Sequence, residues 1–225
     1  MSVTLSFPDR DPELERLSKE ATAARGAKDW PRAIAALRMA DERMAGKPIG
    51  YGIEGWLRLP LFLAEAGRWD EAKIEFLRLL NDLRVLGPWE VPKWSQRGTI
   101  FDKMRLSLQR AGKPRAAVVA CGLFVVCARF ARSLAVREDP SEAEGMRGFD
   151  WCAWTRGHLE KALQKAKCMD QIDGVAAIVE RECAAVSQRV PDLPGFSHTL
   201  SELVAAEENI FETDPHGSPE RKSSP

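Results

Sequence analysis

The chain has 225 residues and 33 Lys and Arg against 33 Asp and Glu, so its formal net charge is zero, which excludes a histone-like or polybasic protein. Apolar residues at 44% and charged residues at 29% give a globular composition, with length enough for a substantial core in one domain or two small ones. With a single Tyr, little alternation of apolar and polar residues, and Ala, Leu, Arg and Glu dominating the stretches between Pro and Gly, the chain reads as all-helical.

Residues 1–11 form an N-terminal extension. It lacks a cationic segment followed by a long apolar one, so neither a secretory nor a transit peptide is indicated and a cytoplasmic protein is expected. Helical hairpins then follow. Residues 26–40 and 67–80 both place Trp three residues before an Ala, with a large apolar residue four beyond it: Trp30/Ala33/Leu37, then Trp69/Ala72/Phe76. A weaker third copy starts at Gly112 and contains Ala117 and Cys121. The preceding helices supply apolar stripes: Leu14, Leu17, Ala21 and Ala24; then Trp56, Leu59 and Leu63; then Phe101, Met104 and Leu108. Each unit predicts a glycine-containing turn, an aromatic filling the gap between two helices, and a small Ala that lets them approach closely. Pro31 and Pro114 fall where a second helix begins, a position that suits a preset φ and a missing N–H.

These residues resemble the tetratricopeptide repeat. Trp56, Leu59, Leu63, Gly67, Trp69, Ala72 and Phe76 match its pattern in order, and Leu17, Ala21, Trp30, Ala33, Leu37 and Ala40 match it in the first copy. The third copy is degenerate, with Pro114 at the aromatic position and Arg105 at the usual small one. The resemblance covers about residues 12–137 and implies a TPR-like α-solenoid of tandem antiparallel helical hairpins. The key alanines are 39 and 45 residues apart, longer than the family period of roughly 34. Insertions are therefore expected at 46–52 and 87–97, and Pro60 should kink its helix.

Residues 138–150 read as an acidic, turn-rich loop. A fourth hairpin is expected from Trp151, Trp154, Leu159 and Leu163 on one helix and Ile172, Val175, Val179, Cys183 and Val186 on the next, ended by Pro191 and Pro194. Thr199-Leu-Ser-Glu202 has capping-box spacing and predicts a C-terminal capping helix that carries Leu203, Val204, Ile210 and Phe211, within residues 151–212. Residues 213–225 predict a disordered tail. The apolar run from Ala116 to Ala128 is shorter than the roughly 20 residues a bilayer needs, so it is expected to be a core helix and no membrane association is expected.

No catalytic constellation, cofactor or metal site is expected. Gly50-Tyr-Gly-Ile-Glu-Gly55 satisfies G-x-G-x-x-G, but the fingerprint needs a strand leading into it, and a helix precedes it here. His158, His198 and His216 lack local ligand partners, and His158 reads as an ordinary partly buried residue. The five cysteines are odd in number, without a Cys-x-x-Cys pair, and read as buried free thiols. Glu207-Glu208 and Asp41-Glu42 read as solvated helix faces.

Charge is unevenly placed. Residues 93–137 hold 10 basic and 1 acidic side chains, while residues 138–225 hold 9 and 17. The basic module can pack against the acidic C-terminal part of the same chain, receive an acidic peptide or protein, or bind nucleic-acid phosphates. Of seven tryptophans, Trp30, Trp56 and Trp69 occupy hairpin positions; Trp89, Trp94, Trp151 and Trp154 are either exposed interface anchors or fasteners of neighbouring helices. Resemblance to the repeat family implies a non-catalytic adaptor binding a partner in a groove. Family position assigns that groove Ser18, Thr22 and Arg25, then Leu57, Leu61, Ala64 and Glu65, then Leu106, Gln109 and Arg110. The expected mechanism is apolar anchoring by Leu57, Leu61 and Leu106, with Arg105 and Arg110 steering an acidic partner and Trp89 and Trp94 as further contacts. The Lys and Asn arrangement with which chaperone-binding members clamp a carboxylate is missing.

Overall fold

A computed structural model of the chain describes residues 11–45, 52–86, 89–146, 148–186 and 188–212. Most of the N-terminal extension, nearly all of the 46–52 insertion and the tail from 213 lie outside the described residues. Within them the chain is all-helical, and no strand occurs.

The first three helical pairs share one joint. Helix α1 (Pro12–Gly26) starts at Asp11, whose carboxylate accepts the Glu13 and Leu14 N–H groups at 3.1 and 3.3 Å, with Pro12 in the first turn. It ends at Lys28, whose left-handed backbone (φ 57°) lets the Asp29 N–H reach the Ala24 carbonyl at 2.9 Å. Asp29 then accepts the Arg32 N–H at 3.2 Å at the start of α2 (Trp30–Ala45). The same closure follows α4 (Arg58–Glu65), where Gly67 has φ 77° and Arg68 N–H meets the Leu63 carbonyl at 2.9 Å before α5 (Trp69–Leu79). It recurs after α7 (Glu90–Arg110) at Gly112 (φ 75°), with Lys113 N–H on the Leu108 carbonyl at 2.9 Å before α8 (Pro114–Glu138). The acceptors Ala24, Leu63 and Leu108 are 39 and 45 residues apart, the spacing of Ala33, Ala72 and Ala117, and all three alanines are fully buried. Each pair packs on itself, and the pairs meet through α2 against α4 and through α4 and α5 against α7.

Within these three pairs, three expectations need correction. The first turn, expected to contain a glycine, does not, because Gly26 lies in α1 and Lys28 takes the left-handed backbone. The helix expected to kink at Pro60 is split into α3 (Ile53–Trp56) and α4, with the break at Leu57. Pro60 offers no N–H to the Trp56 carbonyl and its ring crowds that group, which places the break just after Trp56, at Leu57. The expected 87–97 insertion is also largely helical. After the short α6 (Leu83–Leu86), α7 begins at Glu90, because Pro92 falls in its first turn, where a missing N–H leaves nothing unsatisfied.

Helix α8 is the centre of the molecule. It packs against α7, α9 (Trp151–Ala166), α10 (Ile172–Ala185), α11 (Leu193–Val204) and the 3-10 turn Pro140–Met146 that occupies much of the expected acidic loop. Every residue from Ala116 to Leu123 is buried. By length and composition α8 is the one described helix apolar enough to cross a membrane, yet its apolar window is mostly buried by neighbouring helices. Gly122 leaves a notch for α11: a Cβ there would lie 2.5 Å from Leu200 Cδ1. Helix α11 begins before the expected Thr199 cap. Asp192 accepts the Gly195 N–H at 3.2 Å and Pro194 sits in the first turn, so Thr199 is mid-helix, its hydroxyl donating to the Gly195 carbonyl at 3.0 Å. The helix stops at Ala205, whose φ is 46°, so Ile210 and Phe211 belong to a returning segment beyond it.

Candidate interaction face

Side chains of α1, α4, α7 and α9 meet along one face. The Arg58 guanidinium donates to the Ser18 carbonyl at 3.0 Å and to the Thr22 hydroxyl at 2.9 Å. One turn on, Arg25 forms a two-pronged pair with Glu65 at 2.7 and 2.8 Å, and Arg110 approaches the same carboxylate at 3.5 Å. Lys165 on α9 donates to the Gln109 carbonyl oxygen at 3.2 Å, while the buried Gln109 amide nitrogen has no partner among the described residues. The guanidinium carbons of Arg25 and Arg58 lie 5.1 and 5.7 Å from the Phe62 ring centre.

Electrostatically this face has a surplus of cations. Glu65 is the carboxylate shared by Arg25 and Arg110, whereas the polar contacts of Arg58 are to neutral oxygens. Partial burial, reinforced by repulsion from Arg25, lowers the Arg58 pKa from its ordinary value. The Arg25–Glu65 and Arg110–Glu65 pairs are solvent-exposed, and exposed pairs of this kind contribute only about 0.2–1 kcal/mol. An incoming carboxylate can therefore replace Glu65 at small cost.

The expected site residues divide into two groups. Arg25, Glu65, Gln109 and Arg110 come together as described, and Leu61 and Leu106 are half-buried on the same two helices, α4 and α7. Arg105 is held by Asp102 at 2.6 Å. Leu57 is 0% exposed, because the break above Pro60 turns it into the core, so it anchors no partner. Trp94 is also a correction: it is 3% exposed, stacked edge-on against Phe130 at 4.8 Å and covered by Arg97 at 4.6 Å. Trp89, which precedes α7, is 75% exposed. Trp151 and Trp154 pack on each other, with Trp154 against Phe124 and His158, fastening α9 to α8.

The basic module spends much of its charge within the chain. Lys113 pairs with Glu208, Arg129 with Glu180 and Arg132 with Glu142, while Arg115 and Arg137 donate to the carbonyls of Ala205 and Val186. Glu207 and Glu208 are not a solvated helix face, because helix α11 ends before them and turns them onto α5 and α8. Asp41, read as part of such a face, receives Arg78 at 3.1 Å. Of the five cysteines Cys152 is exposed and the other four are buried; burial raises the Cys121 and Cys183 thiols to about 12. Among the described residues no group of three or more His, Cys, Asp or Glu is placed to hold a metal ion. In the G-x-G-x-x-G string, Gly50 and Tyr51 lie outside the described residues and Gly52 precedes the short α3.

Between the α4–α5 and α7–α8 turns lies an open cleft of about 640 Å³, lined in part by Glu65, Trp69, Asp70, Arg110 and Lys113. It continues the face, since Glu65 and Arg110 belong to both. Compared with known proteins, the chain matches no family model, no curated protein and no solved structure.

Proposed function

We propose that the protein is a tetratricopeptide-repeat-like adaptor that captures an acidic segment of a partner protein on the face formed by α1, α4, α7 and α9. The observation that carries this reading is the pairing of two guanidinia, Arg25 and Arg110, with the one carboxylate of Glu65, next to a third, Arg58, whose polar contacts are to neutral oxygens. Leu61 and Leu106, both half-buried, supply apolar surface beside them. Charge guides the encounter and apolar contact holds the complex. Capture of a nucleic acid by residues 93–137 is the weaker reading, because Lys93, Arg105, Lys113, Arg129 and Arg132 already pair with carboxylates of the chain.

The test is fluorescence anisotropy of the full chain with short peptides carrying carboxylates around a Leu or Phe, beside a single-stranded oligonucleotide of equal charge. The expected result is peptide binding that weakens about tenfold or more in Arg25→Glu/Arg58→Glu, equivalent to about 1.4 kcal/mol or more. Unchanged peptide affinity in that variant refutes the reading. Preferential oligonucleotide binding that falls steeply with salt transfers the function to nucleic acid.

A further inference from the structure

Residues 205–212 form a strap that leaves the end of α11 and returns across α5, α7 and α8. Glu207 accepts the backbone N–H groups of Arg115 and Ala116 at 3.2 and 2.8 Å, capping α8 from outside its own sequence. Glu208 accepts the Trp69 indole N–H at 3.0 Å and the Lys113 ammonium, and its carboxylate lies 3.5 Å from Lys73. The Lys73 ammonium donates to the Asn209 carbonyl at 2.7 Å. Ile210 is 1% exposed, and the Phe211 ring stands edge-on to Phe101 at 6.1 Å. The buried Lys73 thus finds its partners on the strap.

We propose that this groove on α5, α7 and α8 is a recognition site for a partner segment of the type Glu-Glu-x-Ile-Phe, and that the chain's own strap is an exchangeable occupant that holds it closed. Every feature of the strap's recognition can be met by a foreign peptide: helix-end amides and two lysines for consecutive carboxylates, an indole N–H that orients one of them, and an apolar floor with Phe101 for the aliphatic and aromatic pair. The groove also shares Trp69 and Lys113 with the cleft that continues the interaction face, so release of the strap frees a cation and an indole there. A tethered occupant acts at a local concentration in the millimolar range for a short flexible connection, so the closed form lowers the apparent affinity of an outside peptide by the fraction of open molecules.

The experiment uses the full chain with a labelled peptide of sequence Ala-Ala-Glu-Glu-Asn-Ile-Phe-Glu. Glu208→Lys/Ile210→Asp releases the strap by repulsion from Lys73 and Lys113 and leaves the groove residues intact. The released variant is expected to bind the peptide with 1:1 stoichiometry and at least about tenfold more tightly than the wild type. Adding Lys73→Glu should abolish that binding, while Arg25→Glu/Arg58→Glu should leave it unchanged, separating this site from the proposed adaptor face. Equal affinity of released and wild-type chains, or absence of binding to the released variant, overturns the proposal. Loss of helical circular dichroism in the released variant also overturns it, since the strap is then an indispensable part of the core. A strap-exchanged dimer of the wild type that excludes the peptide assigns the groove to a second copy instead.

Discussion

Lys28 shows how a single residue departs from its pattern. In the second and third joints a glycine takes the left-handed conformation, where it has no Cβ to strain, but in the first joint Lys28 takes it and Gly26 stays helical. A β-carbon in that region costs about 1–2 kcal/mol, and the extra freedom of glycine in the unfolded chain returns about 0.5–1 kcal/mol of that. Lys28→Gly is therefore expected to stabilise the protein by about 0.5–1 kcal/mol, with a melting-temperature rise of roughly 1–4 °C; an unchanged or lower melting temperature would show that Lys28 is not strained. The alanine and tryptophan spacing was legible because small residues at close helix contacts leave a periodic trace. The burial of Leu57 and Trp94 left none, since each depends on where a helix begins, and a proline beside them pointed to a break in one case and to a loop in the other.

At the level of elements, prolines explain most of what was misread. Pro12, Pro31, Pro60, Pro92, Pro114 and Pro194 all stand within the first three positions of helices, where a residue without an N–H leaves no hydrogen bond unmade. Reading Pro31 and Pro114 as helix starts succeeded; reading Pro92 and Pro194 as loop or stop signals displaced the starts of α7 and α11. The end of α11 was illegible for a different reason, because Ala205 carries the left-handed turn that glycine usually marks, and the spacing of Val204, Ile210 and Phe211 continues to look helical. A consequence is the external cap on α8. Helix α8 begins at Pro114 without a side-chain cap of its own, and the Glu207 carboxylate serves the Arg115 and Ala116 amides. Glu207→Ala is expected to cost about 0.5–2 kcal/mol, as loss of an N-terminal cap does, whereas Glu207→Gln, which keeps an acceptor, should cost less. Urea denaturation of the two variants orders them; equal midpoints for Ala and wild type would remove Glu207 from that role.

The whole molecule is closed where a simple stack of hairpins would be open. In a linear array each unit touches only its neighbours, so ends unravel independently and unfolding spreads by steps. Here the strap joins residues 208 and 209 to Trp69, Lys73 and Lys113, and α8 is packed by α7, α9, α10 and α11 together. The charge blocks of the sequence offered contact between the basic module and the acidic C-terminal part as one of three readings, but the placing of Glu207 and Glu208 on Lys113, Arg115 and Ala116 depends on the turn at Ala205, which no local pattern marks. The hairpin α1–α2 stands outside this closure: its main packing onto the rest is α2 against α4, supplemented by polar bridges from Arg25, Arg38 and Arg78. Native-state hydrogen exchange is therefore expected to place α1 and α2 among the least protected long helices and α8 among the most protected, with α5, α7 and α8 opening as one unit. Releasing the strap should raise exchange at the first turns of α5 and α8 selectively, while leaving α1 and α2 as they were. Uniform protection across α2 and α8, or a strap release that exposes every helix equally, would mean that the closure does not organise stability, because then the same free energy would govern the α1–α2 hairpin and the central helix α8.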